Sequence, residues 1–275
     1  GGLDAGEMLT TDRRVDLVTF TGSDRVGALI QAQAAPTLKR CIMELGGKSA
    51  MIVRSDGDIA AAAQNALGSL TLNAGQACAA MSRLVVHNSI RARFVDQLTE
   101  MFRNTKIGDP ADPASRMGPL IRAGARDRVV SMVDGAIQQG AKLVTGGRIP
   151  PSCTRGFFYE PTLFDDVDNS WPIAQEEVFG PVGVVIGFDD DEEAISIAND
   201  SDFGLSGAVY SADVGRAYAI ATQLRTGKVN LNGGSGKMSA NHPFGGIKRS
   251  GYGREFGELG LHEFTYVKSI SYHLG

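Results

Sequence analysis

The sequence has few of the residues from which disulfide frameworks and metal sites are built. Its 275 residues include three cysteines, Cys41, Cys78 and Cys153, with no CxxC spacing. The four histidines share no spacing that is typical of metal ligands. We therefore expect neither a disulfide framework nor a metal site, and the odd number of cysteines favours a reducing compartment such as the cytoplasm.

Long apolar runs and a strongly basic charge are also missing. No apolar segment reaches the roughly 18 residues that a membrane-spanning helix needs. The formal net charge of −4 disfavours a nucleic-acid surface. The chain opens with Gly1-Gly2-Leu3 rather than with an initiator methionine or a signal sequence, so we expect it to begin inside a longer protein. The composition predicts a globular protein that binds neither membranes nor nucleic acid.

Glycine is abundant instead, with 35 residues spread along the chain. This distribution indicates many tight turns and close backbone approaches rather than low complexity. Hydrophobic residues make up 43% of the sequence, which is ordinary for a globular protein. The length suits one large domain or two modest ones.

Predicted helices and strands alternate along most of the chain. Val182 to Phe188 is nearly all apolar, as in strands that are covered on both faces of a parallel sheet. Ser23 and either Asp56 or Asp58 can cap helix starts. The alternation predicts an open α/β sheet. We expect strands at 15–20, 40–44, 49–53, 83–87, 142–145, 182–188, 205–210 and 228–232, and helices at 25–35, 59–73, 90–104, 123–139, 192–199, 213–225 and 255–261.

The stretch Gly75-Gln76-Ala77-Cys78 places a thiol between an alanine-rich helix and a strand. Gly75 can end the helix in the left-handed conformation, so that Cys78 is presented at a bend. A cysteine with partial access and a positive electrostatic environment can act as a nucleophile. The alternative is a small buried apolar side chain, which describes most free cysteines.

Glu44 lies between apolar residues and just before the pair Gly46-Gly47, which could admit a ligand. A carboxylate in such surroundings is a candidate general base with a raised pKa. The alternative is a strand-end carboxylate that accepts hydrogen bonds from the local backbone.

Three stretches resemble phosphate-binding loops, but only the first stays a candidate. Gly22-Ser23 lies between a predicted strand and a helix start, where backbone N–H groups can face an anion. Gly47-Lys48-Ser49 is no P-loop, because Ile42 stands where the opening glycine should be. Gly251-Tyr252-Gly253 follows no predicted strand, so we expect a turn there rather than a dinucleotide loop.

Five motifs, in this order, resemble the aldehyde dehydrogenase superfamily: Phe20-Thr21-Gly22-Ser23, Glu44-Leu45-Gly46-Gly47-Lys48, Gly75-Gln76-Ala77-Cys78, Glu176-Glu177-Val178-Phe179-Gly180-Pro181 and Pro243-Phe244-Gly245-Gly246. The resemblance extends from near residue 1 to the carboxy terminus. It implies an α/β fold with an open, mostly parallel sheet in the catalytic domain and the end of a Rossmann-like cofactor domain. It divides the chain into residues 1–45 of the NAD(P)-binding domain, the thiol-bearing catalytic domain 46–255, and a helix and oligomerisation strand in 256–275.

The resemblance also implies an activity, namely oxidation of a small-molecule aldehyde to a carboxylic acid with hydride transfer to NAD, NADP being left open. Cys78 resembles the nucleophile that forms a thiohemiacetal and then a thioester, and Glu44 resembles the general base that activates water. The remaining implied roles are cofactor binding by Gly22, Ser23, Leu45, Glu177 and Phe179, and substrate binding by Phe244.

The family pattern also includes parts that would precede Gly1. These are the first strands of the cofactor domain, the residues at the adenosine ribose and a side-chain oxyanion donor. We therefore expect the chain alone to bind NAD poorly and to turn over slowly. The small residues Gly233 to Gly236 predict a roomy substrate entrance. The alternating stretch Tyr266 to Tyr272 predicts a strand that pairs with a sheet edge in a homodimer or homotetramer.

Two other classes of function stay open. The chain could be an inactive relative or a fragment with a role in assembly. It could also be a coenzyme A-acylating aldehyde dehydrogenase or an esterase-like thiol enzyme. Glu44 favours hydrolysis, because the coenzyme A-acylating branch of the family tends to lack this glutamate.

Overall fold

The structure is a computed structural model that describes residues 3–234 and 239–275. Its helices are α1 (Leu3–Thr11), α2 (Asp24–Ala34), α3 (Ile59–Thr71), α4 (Asn88–Arg103), α5 (Ala123–Gln138), α6 (Pro172–Gln175), α7 (Asp191–Asn199), α8 (Val214–Ala221) and α9 (Gly257–His262). Its strands are β1 (Leu17–Thr21), β2 (Arg40–Glu44), β3 (Ser49–Val53), β4 (Met81–His87), β5 (Lys142–Thr145), β6 (Thr162–Asp165), β7 (Val182–Phe188), β8 (Phe203–Gly204), β9 (Ser206–Tyr210), β10 (Lys228–Leu231), β11 (Ile247–Lys248) and β12 (Gly251–Tyr252).

The large sheet has the strand order β10-β9-β3-β4-β7-β6-β5. Every pairing in it is parallel except β5 with β6. Helices cover both faces, and alternate residues of β3 point to opposite sides. Met51 and Val53 pack with α3 and α4, whereas Ala50 and Ile52 pack with α7 and α8. Coverage of both faces explains the nearly continuous apolar strands, and the predicted mostly parallel α/β fold is confirmed.

A smaller sheet has the order β1-β2-β12 and carries the first part of the chain. β1 and β2 are parallel, and α2 packs on them through Ile30, which shares a cluster with Met43 and Leu45. β12 joins antiparallel to β2, with Gly251 opposite Glu44. The expected turn at Gly251-Tyr252 is therefore wrong, because its backbone is paired with the free edge of β2.

Capping side chains fix several helix starts. Ser23 Oγ accepts the backbone N–H of Val26 at the start of α2, over 3.4 Å. Asp58, rather than Asp56, caps α3 by accepting the N–H of Ala61 over 3.0 Å. Each cap satisfies a helix-terminal N–H that has no partner inside the helix.

A buried arginine joins the large sheet to α7. Arg83 lies on β4 and is 2% exposed. Its Nε donates to the Lys48 carbonyl over 3.0 Å, and its two terminal nitrogens donate to the carbonyls of Ile197 and Ala198 over 2.8 Å each. The carbonyls of Ile197 and Ala198 lie at the carboxyl end of α7, where a positive charge is favourable.

The last residues extend away from the body of the protein. Residues 265–275 form no strand with the described part of the chain, and Val267 is 99% exposed. Arg40 holds the start of this segment by donating to the Thr265 carbonyl over 3.0 Å and pairing with Glu263. The expected terminal strand therefore has no partner among the described residues, and its pairing with another subunit stays a prediction.

Candidate active site

The loop that carries Cys78 is shaped by three successive left-handed residues. After α3, the φ angles of Asn73, Ala74 and Gly75 are 50°, 54° and 71°. The sequence predicts this conformation for Gly75 alone. A side chain on Gly75 would collide with the carbonyl of Gly180, so glycine allows the two loops to meet backbone to backbone. Cys78 follows as a half-buried residue.

A nucleophilic thiol is expected to lie in a positive electrostatic environment, but the surroundings of Cys78 differ from this expectation. Burial raises the pKa of Cys78, and the negative charge of Glu177 raises it further. The backbone N–H groups of Ala79 and Cys78 act in the opposite direction. The thiol is therefore mostly protonated at neutral pH, and its activation requires removal of the proton as it attacks.

Glu44, the last residue of β2, has the features of a base. It is 3% exposed, and neither carboxylate oxygen has a hydrogen-bond partner among the described residues. This excludes the alternative of a carboxylate that accepts local backbone hydrogen bonds. Burial and the neighbouring Glu255 raise its pKa to about 7, although Arg254 lowers it. A base with such a pKa can accept and release protons near neutral pH.

The pair Gly46-Gly47 lies against the carboxylate of Glu177. Glu177 Oε1 accepts the backbone N–H of Gly47 over 3.1 Å. A Cβ on Gly46 would lie 2.5 Å from Glu177 Oε2. Burial raises the pKa of Glu177, while the Gly47 N–H and Lys48 lower it. These glycines therefore admit a side chain of this chain, which the sequence analysis does not anticipate.

The other expected site residues frame the same opening. Phe179 adopts a left-handed φ of 55° and is 43% exposed. Leu45 is buried under α2, where a Cβ on Gly27 would lie 2.7 Å from the leucine side chain. The backbones of Phe244 and Glu255 exchange two hydrogen bonds of 2.7 Å. Phe244 is thereby fixed to the residue that raises the pKa of Glu44.

One cleft of about 1920 Å³ brings these residues together. Its walls include every site residue expected from the sequence, namely Gly22, Ser23, Glu44, Leu45, Cys78, Glu177, Phe179 and Phe244. Gly233 also lines it, whereas Ser235 and Gly236 lie outside the described residues. Three sets of groups thus face one space: a thiol, a base, and a helix start with a glycine turn.

Metal and membrane features can be assessed for residues 3–234 and 239–275. Within these ranges, no group of three or more His, Cys, Asp or Glu side chains could hold a metal ion. No helix there has both the length and the apolar character to cross a membrane.

A model of the aldehyde dehydrogenase family matches residues 1–270. The chain belongs to the aldehyde dehydrogenase family. The match covers nearly all of the sequence, including all five motifs. The resemblance inferred from the sequence is therefore confirmed.

Several bacterial family members are close to this chain in sequence. It is 42% identical to the betaine aldehyde dehydrogenase of Brucella melitensis biotype 2 over 274 residues, which are 99% of this chain and 56% of that protein. It is 41% identical to the betaine aldehyde dehydrogenase of Bacillus subtilis over 271 residues, covering 98% and 55%. The chain thus spans about half the length of these relatives.

The fold is similar to solved structures of the same family. The betaine aldehyde dehydrogenase of Staphylococcus aureus in complex with NAD+ superposes with a TM-score of 0.92 at 41% identity. That superposition covers 94% of this chain and 52% of the other. The family fold therefore extends over almost all of this chain.

The cleft also contains charged residues that sequence reasoning missed. Arg128 donates to the Glu177 carbonyl over 2.9 Å and lies 3.7 Å from the Glu176 carboxylate. Glu255 raises the pKa of Glu44. No local pattern distinguishes Arg128 from the other charged residues on the exposed side of α5. The sequence could have suggested Glu255 as a carboxylate near the candidate base, but its proximity to Glu44 depends on the fold.

Proposed function

We propose that this chain carries the catalytic part of an aldehyde dehydrogenase that oxidises an aldehyde to a carboxylic acid with NAD+ as hydride acceptor. The observation that carries the proposal is the shared cleft of Cys78 and Glu44, in which the Glu44 carboxylate lacks a hydrogen-bond partner among the described residues. Its pKa of about 7 suits a general base. Family membership supports the reaction class.

The residues of the cleft fit a dinucleotide. Gly22 and Ser23 lie at the amino end of α2, where backbone N–H groups favour a phosphate. Glu177 and Phe179 are proposed to hold the nicotinamide ribose and ring, and Leu45 supports the α2 side. The S. aureus neighbour was crystallised with NAD+, so NAD is the proposed cofactor and NADP stays open.

The reaction is proposed to begin when Cys78 Sγ forms a bond to the aldehyde carbon. The thiol proton passes to a base in the cleft, and the carbonyl oxygen becomes the thiohemiacetal oxygen. The backbone N–H groups of Cys78 and Ala79 lie close to the thiol and can donate to this oxygen. NAD+, when bound, supplies the acceptor for the hydride, and a thioester then remains on Cys78.

Glu44 is proposed to complete the cycle by hydrolysing that thioester. Its carboxylate takes a proton from a water molecule as the water oxygen attacks the thioester carbon. The bond from carbon to Cys78 Sγ breaks, and the thiolate is protonated again. The products are a free carboxylic acid and the original thiol.

The proposed substrate is a small-molecule aldehyde. Betaine aldehyde is the first candidate to test, because the similar relatives are betaine aldehyde dehydrogenases. Tyr210, Phe244 and Phe256 line the cleft, and aromatic rings attract quaternary ammonium groups. Comparison of betaine aldehyde with an uncharged aldehyde of similar size tests this choice.

The proposed setting is a cytoplasmic homodimer or homotetramer. Cys41, Cys78 and Cys153 are all unpaired in the structure, which suits a reducing compartment. The exposed segment 266–272 has the alternating apolar pattern that the family uses for assembly.

An activated ester tests the thiol and the base without hydride transfer, because it acylates Cys78 directly. We expect intact-protein mass spectrometry to find the acyl group on Cys78, no acylation in C78S, and a persistent acyl adduct in E44Q. Equal turnover of the ester by the E44Q variant and the wild type would contradict the proposed base.

Product analysis with and without coenzyme A separates the neighbouring functions. We expect the free acid in both cases, whereas a coenzyme A thioester would indicate the acylating branch. Absence of any adduct on the wild-type Cys78 would indicate an inactive relative with a role in assembly.

A further inference from the structure

Arg249 connects the start of α2 to the catalytic part of the chain. It lies between β11 and β12, and its guanidinium pairs with the carboxylates of both Asp24 and Asp202. Its backbone N–H donates to the Asp202 carbonyl over 2.9 Å. Its Cζ lies 5.6 Å from the centre of the Phe203 ring. Three contacts of the guanidinium and one backbone hydrogen bond therefore hold Arg249 against two separate parts of the fold.

Asp24 is the first residue of α2, directly after the capping Ser23. Its Oδ1 accepts the backbone N–H of Arg25 over 2.8 Å. A carboxylate there stabilises the helix, but it also places negative charge where a phosphate would bind. Its field reaches across the cleft and raises the pKa of Glu177.

We propose that Arg249 is a positioning residue that neutralises Asp24 and ties the amino end of α2 to Asp202 and the start of β8, so that this end can accept the pyrophosphate of a dinucleotide. The role rests on the proposed dehydrogenase function, because that function is what brings a pyrophosphate to this end of the cleft. Asp24, Asp202, Phe203 and Arg249 all line the cleft.

The proposed role of Arg249 depends on the negative charge of Asp24. Without Arg249, the Asp24 carboxylate repels an incoming phosphate, and the repulsion weakens as salt is added. Without both side chains, the repulsion is gone and the guanidinium is no longer needed. Arg25 is a neighbouring cation on the same wall of the cleft. It therefore provides a control for the general loss of one positive charge.

The tie, meaning the connection that Arg249 makes between the amino end of α2 and β8, can be measured without any ligand. Hydrogen exchange is compared in wild type, R249Q, R249K and the control R25Q. We expect amides of α2 and β8 to exchange about three to ten times faster in R249Q, with partial rescue in R249K and no change in R25Q. Unchanged exchange in R249Q overturns the tie, whatever the protein does with NAD.

The effect on the ligand is measured by calorimetry with NAD+ and with inorganic pyrophosphate. We expect R249Q to raise the Kd about three- to tenfold and D24N/R249Q to return it to within about twofold of wild type. Equal losses in the single and double variants overturn the role through Asp24, because Arg249 would then contact the ligand itself. If wild type binds neither probe, the pyrophosphate role is overturned together with the proposed cofactor, and hydrogen exchange separately decides the tie.

Discussion

The backbone N–H of Gly47 donates to Oε1 of Glu177 over 3.1 Å, although 130 residues separate the two in sequence. The contact joins the turn after Glu44 to the loop that follows α6. Gly47 also lies against the loop that carries Cys78, because a Cβ there would collide with the carbonyl oxygen of Cys78. One glycine thus fixes the relative positions of Glu177 and Cys78.

Replacing Gly47 by alanine should displace the Cys78 loop. The new methyl group meets a backbone carbonyl, which cannot yield as a flexible side chain can. We expect G47A to lose about 1–3 kcal/mol of stability and to slow acylation of Cys78 by an activated ester at least about tenfold. The matched control is G135A in α5, where a Cβ meets nothing within 4 Å. That variant should gain about 0.5–1 kcal/mol.

Hydrolysis of the Cys78 thioester should depend on pH through Glu44. Burial raises the pKa of Glu44 to about 7, and the charged carboxylate is the form that accepts a proton. We expect the deacylation rate to fall about tenfold per pH unit below that value and to level off above it. The rate is measured from decay of the acyl adduct after removal of the ester. A flat profile in wild type would assign the base to another group.

The same carboxylate should make stability depend on pH in a defined direction. Because the pKa of Glu44 is raised from 4.5 to about 7 in the folded protein, the folded state binds the proton more tightly than the unfolded state. The folded protein therefore loses stability as the pH rises from 4.5 to 7. We expect E44Q to gain about 2–3 kcal/mol relative to wild type between pH 4 and pH 9.

Urea unfolding across that pH range measures the effect on stability. The exposed Glu100 of α4 provides the control, since E100Q removes a carboxylate that water already solvates. If E44Q and E100Q show the same pH dependence, the carboxylate of Glu44 is not destabilising in the folded state.

Arg83 should be a major contributor to stability. Substitution by methionine leaves the buried carbonyl of Lys48 and the partly buried carbonyls of Ile197 and Ala198 without their donor. We expect R83M to lose about 3–5 kcal/mol and to increase hydrogen exchange in α7. The exposed Arg93 of α4 is the control, and R93M should change stability by less than about 0.5 kcal/mol. Similar losses in both variants would show that the buried hydrogen bonds contribute little.

Removal of residues 265–275 should affect assembly and leave the fold intact. The segment contributes no strand to the described sheets and is exposed throughout. We expect the truncated protein to keep its circular dichroism spectrum and to lose its dimer or tetramer in light scattering. A truncated protein of unchanged molar mass would place the subunit contact elsewhere.

Local signals in the sequence predicted most of the regular elements. The expected strand 182–188 agrees with β7, and the cap at Ser23 is present, because apolar runs and capping residues act over a few neighbouring positions. The helix at Leu3–Thr11 was missed. The strand at Gly251–Tyr252 was also missed, since a two-residue strand exists only through its pairing with β2.

The residues of the candidate site likewise divide into those that local motifs indicate and those that depend on contacts across the fold. Cys78 and Glu44 were proposed from the sequence because each lies in a motif whose residue types suit its proposed chemistry. Arg128 was missed because its contact with Glu177 depends on the approach of α5 to a distant loop. The left-handed Ala74 was missed because alanine has no preference for that conformation. Contacts across the fold, rather than local preference, determine both.

The backbone contact between Gly75 and Gly180 sets the spacing of the two loops without using the side chains at the entrance of the cleft. Main-chain atoms set the spacing of the two loops, whereas Leu72 and Ile121 present exposed side chains to the cleft beside them. Substitutions at those two positions can reshape the entrance while the reacting groups keep their places. The arrangement therefore makes the cleft a favourable starting point for laboratory evolution of the proposed activity.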